Sequence, residues 1–452
     1  MATSKKPYER PVIQRLNAGV TGKFGQPSVT ASVSNIDGNS VDALIQQFGS
    51  PLFVISENTL TKTYRDAERA FTNRYPKVQL AWSYKTNYLD AVCRIYHRLG
   101  AWAEVVSGFE YEKALANGVE GSKIIFNGPG KSAAELEKAI HNQSLIHIDH
   151  ADEFYVLREL VQQNGQSARV AIRVNMDCGI YPQWDRFGFN LENGEAFNMI
   201  EQICSVDEMH LEGLHCHIGT FVLSTQSYSI AAAKMSQLAL QIKKQFSITI
   251  KYLDLGGGFA SKNTLKGSFL QGQDANPSID KYAEAICSAI LKSGFNENEL
   301  PLLILESGRA LIDESGYLLG SVLSHKRLGD GRSALILDFG VNVLFTAFWY
   351  DHKISTTQVH GQWQEDMVLY GPLCMNIDVV REHITLPPLN KGDKVVVHNT
   401  GAYNMTQWMQ FISMRPAVVL IDRNEKPHTI RLRETTATIQ AQEKIPNHLT
   451  HG

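Results

Sequence analysis

Lys85 stands directly after the apolar run Leu80–Tyr84. If its stem is partly buried there, desolvation lowers the amine's pKa and frees it as a nucleophile toward carbonyls. Taken singly, a lysine after a strand is more often a solvated loop residue. Gly256-Gly257-Gly258 also follows an apolar run, and such glycines let backbone N–H groups approach an anion; a tight turn is the plainer reading. Arg309, beside Gly308, offers a fork of donors to a phosphate or carboxylate, unless it is a surface arginine. His215 and His217 would share one face of a strand, a spacing that invites a metal. No third ligand with suitable spacing is close by, so no metal site is expected, and an imidazole stacked on an aromatic cofactor is the better use. Glu306 ends the apolar run that starts at Leu302, where a carboxylate needs a cationic or hydrogen-bonding partner.

The elements that must position these groups follow a rhythm. Short apolar runs read as strands at Val78–Tyr84, Trp102–Ser107, Lys123–Asn127, Leu145–Asp149, Val170–Asn175, Leu211–Ile218, Tyr252–Leu255 and Leu302–Glu306. Amphipathic stretches between them read as helices, among them Glu110–Ala116, Ser132–Ile140, Ala151–Gln163, Gly194–Ile203, Ile230–Phe246 and Asp280–Lys292. Eight strands with interleaved helices predict an α/β fold, a closed (β/α)8 barrel, over residues 51–312. A doubly wound open sheet is the competitor, but no GxGxxG follows the first strand. The reactive residues fall at strand ends, where barrels keep their chemistry.

After Gly308 the texture changes to strands: Tyr317–His325, Arg332–Asp338, Asp366–Tyr370, Lys394–His398, Val418–Asp422 and Thr429–Glu434. Asp330-Gly331 between apolar runs is a hairpin signal. A second, mainly β domain of residues 1–50 plus 313–452 is expected, with a helix at Val41–Phe48 and a β-prone piece at Ser28–Val33 in the N-terminal segment.

Composition excludes several classes. The chain is 43% hydrophobic and 20% charged with a net charge of -3, so nucleic acid and anionic membrane are poor partners. No apolar run reaches the ~18 residues of a membrane span. The start, Met1-Ala2-Thr3-Ser4, lacks a secretory apolar segment, and a cytoplasmic location is expected. Six cysteines have no C-x-x-C spacing, so neither a disulfide framework nor a thiolate zinc site is indicated.

Nine motifs occur in order: Tyr84-Lys85-Thr86-Asn87, Ser107-Gly108-Phe109-Glu110, Asn127-Gly128-Pro129-Gly130-Lys131, Arg186-Phe187-Gly188, Leu214–Thr220, Leu255–Phe259, Glu306–Arg309, Gly371–Cys374 and Gly401–Tyr403. With these, the chain resembles the fold-type III pyridoxal-phosphate decarboxylases, the group of diaminopimelate and ornithine decarboxylases, from about Val41 to about Pro416. The resemblance implies a barrel plus a β domain, pyridoxal 5'-phosphate as cofactor, an amino-acid substrate, and a homodimer with active sites at the subunit interface. Lys85 would hold the cofactor as a Schiff base and His217 would stack on its ring. Gly257, Gly258, Gly308, Arg309 and Tyr403 would hold the phosphate or lie beside it, with Thr220 where the family usually has serine. Glu306 would pair with the pyridine nitrogen. Cys374, from the partner subunit, would act as general acid; by itself a cysteine in Gly-Pro-Leu-Cys is more often a small buried hydrophobe.

The likeness also implies substrate contacts at Arg309, Tyr350, Cys374 and Asp378, with a structural cap as the other reading of Asp378. Two positions depart from the diaminopimelate enzymes. Thr346 stands where they carry the arginine that grips a distal carboxylate, and Met375 where they carry a glutamate; the ornithine enzymes' aspartate is missing too. Losing both charges removes the pairs that read a distal head group. An altered amino acid or amino-acid-derived substrate is therefore expected, and the motif Cys374–Asp378 resembles that of specialised relatives that decarboxylate intermediates of siderophore or other secondary pathways. A racemase or epimerase on the same scaffold is the alternative, against which Glu306 and Cys374 speak: the related alanine racemases place an arginine at the pyridine nitrogen.

Overall fold

In a computed structural model the chain is described over residues 32–449, except 181 and 360–362. The barrel strands are β1 (Val78–Ser83), β2 (Trp102–Val105), β3 (Ile124–Phe126), β4 (Leu145–Ile148), β5 (Ala168–Asn175), β6 (Met209–His215), β7 (Tyr252–Asp254) and β8 (Leu302–Ser307). Each is parallel to the next, and β8 pairs with β1 through Glu306 opposite Ala81, which closes the ring. The open-sheet alternative is thereby excluded.

Local chemistry ends and starts the intervening helices where the barrel needs them. Ser132 caps the helix Ala133–His141 in a reciprocal box with Glu135, which satisfies two backbone N–H groups that the first turn leaves open. The helix Asp90–Leu99 stops at Gly100, whose φ of 108° only glycine adopts cheaply. No helix among the described residues is long and apolar enough to cross a membrane.

The second sheet runs Val379–Leu386, Glu365–Tyr370, Ser333–Leu337, Gly316–Arg327, Leu52–Ser56, Ala417–Ile421, Pro427–Arg431, with Lys394–His398 also paired to Gly316–Arg327. The Asp330-Gly331 hairpin joins two antiparallel strands of this sheet. One expected boundary is corrected: Leu52–Ser56 lies on the barrel side of residue 51 in sequence but pairs with Gly316–Leu319 and Ala417–Ile421 in the second sheet. Its five residues are all buried, so its composition could not distinguish one sheet from the other. The strand Val379–Leu386 was not expected, because its exposed Glu382 and His383 break the apolar alternation at the sheet's edge. Residues 28–31 of the β-prone N-terminal piece lie outside the described residues.

Candidate active site

Successive strand residues face opposite sides of a sheet, so the barrel interior is filled in layers. Ala81, Ile125, Leu145, Ala171, Tyr252 and Ile304 form an apolar plug. Two residues further along the same strands come Ser83, Asn127, His147, Arg173, Asp254 and Glu306. Glu104 and His215 occupy the same level on β2 and β6. A ring of polar side chains thus sits on an apolar floor. Above it opens a cavity of about 280 Å3, close to the ~300 Å3 at which small-ligand pockets begin.

Lys85 rises from the short turn Tyr84–Thr86 that follows β1. Its Nζ lies 2.7 and 2.6 Å from the two oxygens of Glu104. Glu104 is fully buried and also accepts from Ser83 Oγ and from Asn127 Nδ2 at 3.2 Å. This overturns one expectation about Lys85. Burial does disfavour its charge, but Glu104 and then Glu306 outweigh it, and the amine's pKa is raised. The amine is held as an ammonium ion and must shed a proton before it can attack a carbonyl.

Glu306 accepts from Asn127 Nδ2 at 2.5 Å. Burial works against its charge, yet Lys85 above all holds the carboxyl below the ordinary range. The neighbouring Asp254 moves the other way, pushed well up by burial and by the charge of Glu306. The two acids thus shift in opposite directions.

The mouth is built for an anion. Gly257 N–H donates to His217 Nδ1 at 3.1 Å, and burial, with Arg173 and Lys85, lowers the His217 pKa to about 3, so the ring is neutral. Gly258 has φ 84°, and a Cβ there would lie 2.1 Å from the Gly219 carbonyl oxygen. Only glycine closes this turn. Arg309 is buried with its guanidinium 4.8 Å from the Tyr403 ring and 4.9 Å from that of Tyr350. Its Nη1 lies 3.7 Å from Asp313 and has no hydrogen-bond partner among the described residues. Burial lifts Asp313 to about 6 against the pull of Arg309. A buried guanidinium nitrogen without an acceptor fits an incoming phosphate or carboxylate.

Lys85, His217, Thr220, Gly258, Glu306, Gly308, Arg309 and Tyr403 all line this one cavity. Gly257 does not, but it orients His217. The expected His215–His217 pairing is corrected: β6 ends at His215, whose ring faces the interior, while His217 turns to the glycines. The expectation that no third ligand lies near His215 is also overturned, since His147 and Glu306 come within 4.8 Å of it.

On the substrate side the structure separates residues that the sequence grouped. Asp378 is buried, with one oxygen accepting from Val341 N–H at 2.8 Å and the other from Leu373 N–H at 2.7 Å. Both acceptors are spent on turns, so it is the structural cap and not a substrate contact. Tyr350 is buried behind Arg309 and 5.0 Å from the Phe221 ring, outside the cavity lining. Cys374 is exposed and also lies away from the cavity. Thr346 is fully buried; its hydroxyl donates to Asn404 Oδ1 at 2.9 Å and sits 2.8 Å from His352 Nε2.

Sequence reasoning passed over Ser83, Glu104, His147 and Asp254 as site residues, and placed Arg173 at a strand end without giving it a role. The available signal was their place two residues beyond an interior apolar residue. Trp184, its ring 5.4 Å from that of His217, carried no such signal because it comes from the irregular loop after β5.

A parallel barrel with a lysine amine, a neutral imidazole, a buried carboxylate and an anion cradle at one mouth suits an enzyme that binds a phosphorylated carbonyl compound. Residues 60–313 match the family model of the pyridoxal-dependent decarboxylase, pyridoxal binding domain, and the chain belongs to this family. It is similar to the diaminopimelate decarboxylase of Methanocaldococcus jannaschii, 29% identical over 430 residues, 92% of this chain and 95% of that one. It is 29% identical to the diaminopimelate decarboxylase of Bacillus subtilis over 410 residues, 87% and 92% of the two chains. The M. jannaschii enzyme solved in complex with L-lysine superposes with a TM-score of 0.84 at 28% identity, covering 93% of this chain and 99% of that one. The protein is a pyridoxal-phosphate-dependent carboxy-lyase acting on an amino acid.

Proposed function

We propose that this enzyme decarboxylates an amino acid or amino-acid-derived intermediate whose distal end is not read by a guanidinium at position 346. The observation that carries the reading is the burial of Thr346 in hydrogen bonds to Asn404 and His352. A side chain so engaged offers nothing to a distal carboxylate, and Met375 beside Cys374 offers no charge either. The relatives' names point to diaminopimelate, and the L-lysine complex places an amino acid in the M. jannaschii enzyme. The test is CO2 release from a panel containing meso-diaminopimelate, lysine, ornithine and longer amino-acid derivatives. Release from some member is expected, with kcat/KM for diaminopimelate at least about 100-fold below the best substrate, the order of one lost charged contact. Diaminopimelate as the preferred substrate overturns the proposal.

The residues divide the work as follows. Pyridoxal phosphate, when bound, supplies an aldehyde for amines and a ring that takes up the electron pair left by departing CO2. Lys85 would hold it and then give way to the substrate amine, returning as an ammonium ion to Glu104. Gly258, Thr220, Gly308 and Arg309, with Tyr403, would hold the phosphate, while Gly257 would lie beside it and orient His217, which would lie flat on the ring. Glu306 would keep a proton on the ring nitrogen, which strengthens the electron sink.

Cys374 would protonate the substrate carbon that lost CO2, reaching the cavity from a second copy of the chain in a homodimer. Its exposure together with that of Ile377 on the same loop supports this. Cys374→Ala is expected to lower kcat by about 10^2–10^4-fold while the cofactor stays bound. Mixing it with inactive Lys85→Ala subunits should restore about a quarter of the wild-type activity, since half the random dimers regain one complete site. No restoration on mixing means that Cys374 serves its own chain or none.

A further inference from the structure

His215 is the least satisfied group in the barrel. It is 1% exposed, and neither ring nitrogen has a hydrogen-bond partner among the described residues. Its Nε2 lies 3.4 Å from Glu306 Oε2, near enough for a small rotation to complete a hydrogen bond. Behind it stands His147, ring centroids 4.8 Å apart, and His147 Nε2 lies 3.1 Å from the Tyr252 hydroxyl. A buried polar row, Tyr252–His147–His215–Glu306, thus leads from the apolar plug to the carboxylate.

Three of these groups are spaced for a divalent cation. The charges of Arg173, Lys85 and Lys131 all bear on His215, however, and oppose a cation. A neutral donor suits the place better. Burial keeps both imidazoles neutral, and an unpaired buried donor is costly unless it finds an acceptor. The Glu306 carboxylate is an anionic acceptor within reach, and catalytic hydrogen bonds are often long before ligand binds.

We infer that His215 is a positioning residue: it donates Nε2–H to Glu306 and, backed by His147, fixes the carboxylate that faces the cofactor ring nitrogen. This rests on the role proposed above for Glu306. Asn127 holds the other oxygen, so the two donors together would set the plane of the carboxylate.

The test is a double-mutant cycle read by cofactor affinity, titrating pyridoxal phosphate into cofactor-stripped enzyme, alongside kcat and KM. His215→Phe keeps the ring's size and removes the donor. It should weaken cofactor binding about tenfold, the order of one hydrogen bond to a charged group, and lower kcat more than it changes KM. His215→Gln, which restores an N–H near the same place, should return affinity to within about threefold. In a Glu306→Gln background, His215→Phe should change affinity less than about twofold. Equal loss in both backgrounds means a packing role and overturns this inference alone. Unchanged affinity in Glu306→Gln by itself overturns the Glu306 assignment and this inference with it. Should His215→Phe not fold, 15N-histidine NMR of the wild-type holoenzyme decides: the Nε2–H tautomer of His215 is expected, and the Nδ1–H tautomer overturns the proposal.

Discussion

Lys85→Ala is expected to lower decarboxylation by about 10^4-fold or more, the scale seen when a covalent nucleophile is deleted. The visible absorbance of the lysine-bound cofactor should vanish even though the phosphate cradle, made by other residues, still binds it. The Lys85–Glu104 contact adds a second readout. Glu104 is buried and its two oxygens face Nζ at 2.7 and 2.6 Å. Removing the ammonium ion strands that carboxylate, which retains only Ser83 and Asn127 as partners. The variant should therefore melt earlier than wild type. The Lys85 side chain is 37% exposed, so solvent screens part of the loss, and the cost falls below the ~3–5 kcal/mol of breaking a fully buried pair. Lys85→Ala with Glu104→Gln should recover the melting temperature without recovering activity. Turnover within tenfold of wild type in Lys85→Ala refutes the lysine's role.

Glu306→Gln is expected to have the next largest effect. The amide keeps the shape and the contact with Asn127 but cannot hold a proton on the ring nitrogen. A fixed charge aimed at developing charge in a dry site is worth about 10^2–10^3 in kcat. KM should move little, because the contact matters most once the electron pair is formed. Asp254 sharpens the prediction. Its carboxyl is pushed up by burial first and then by the charge of Glu306. Neutralising Glu306 removes that second push, so the Asp254 pKa should fall, though burial still holds it above the ordinary carboxylate range. Infrared spectroscopy of the carboxyl groups, with kcat against pH, would detect the change. An unchanged kcat in Glu306→Gln means that the ring nitrogen is served by another group.

Much of this protein is local in origin. The eight barrel strands lie within a few residues of where alternation and turn residues put them, because burial on both faces demands short apolar runs in a parallel sheet. Lys85, the three glycines, Glu306 and Arg309 end such runs, and strand ends are where a barrel exposes its chemistry. The helix Val41–Phe48 and the Asp330-Gly331 hairpin are likewise written in neighbouring residues.

What the tertiary structure decided is who meets whom. Strand Leu52–Ser56 joins the second sheet because its partners lie more than 250 residues away, and nothing in its own composition selects them. The protonation state of Lys85 turned on Glu104, nineteen residues distant, whose charge acts through space and outweighs the desolvation that reading Lys85 alone would emphasise. Thr346 and Asp378 were candidates by position along the chain, yet their hydrogen bonds to Asn404, Val341 and Leu373 turn them inward. The sequence by itself determined the barrel, the kind of cofactor and those residues of the mouth that end apolar runs. Pairing across the barrel settled the charge on each group and which of the nearby residues can face a substrate.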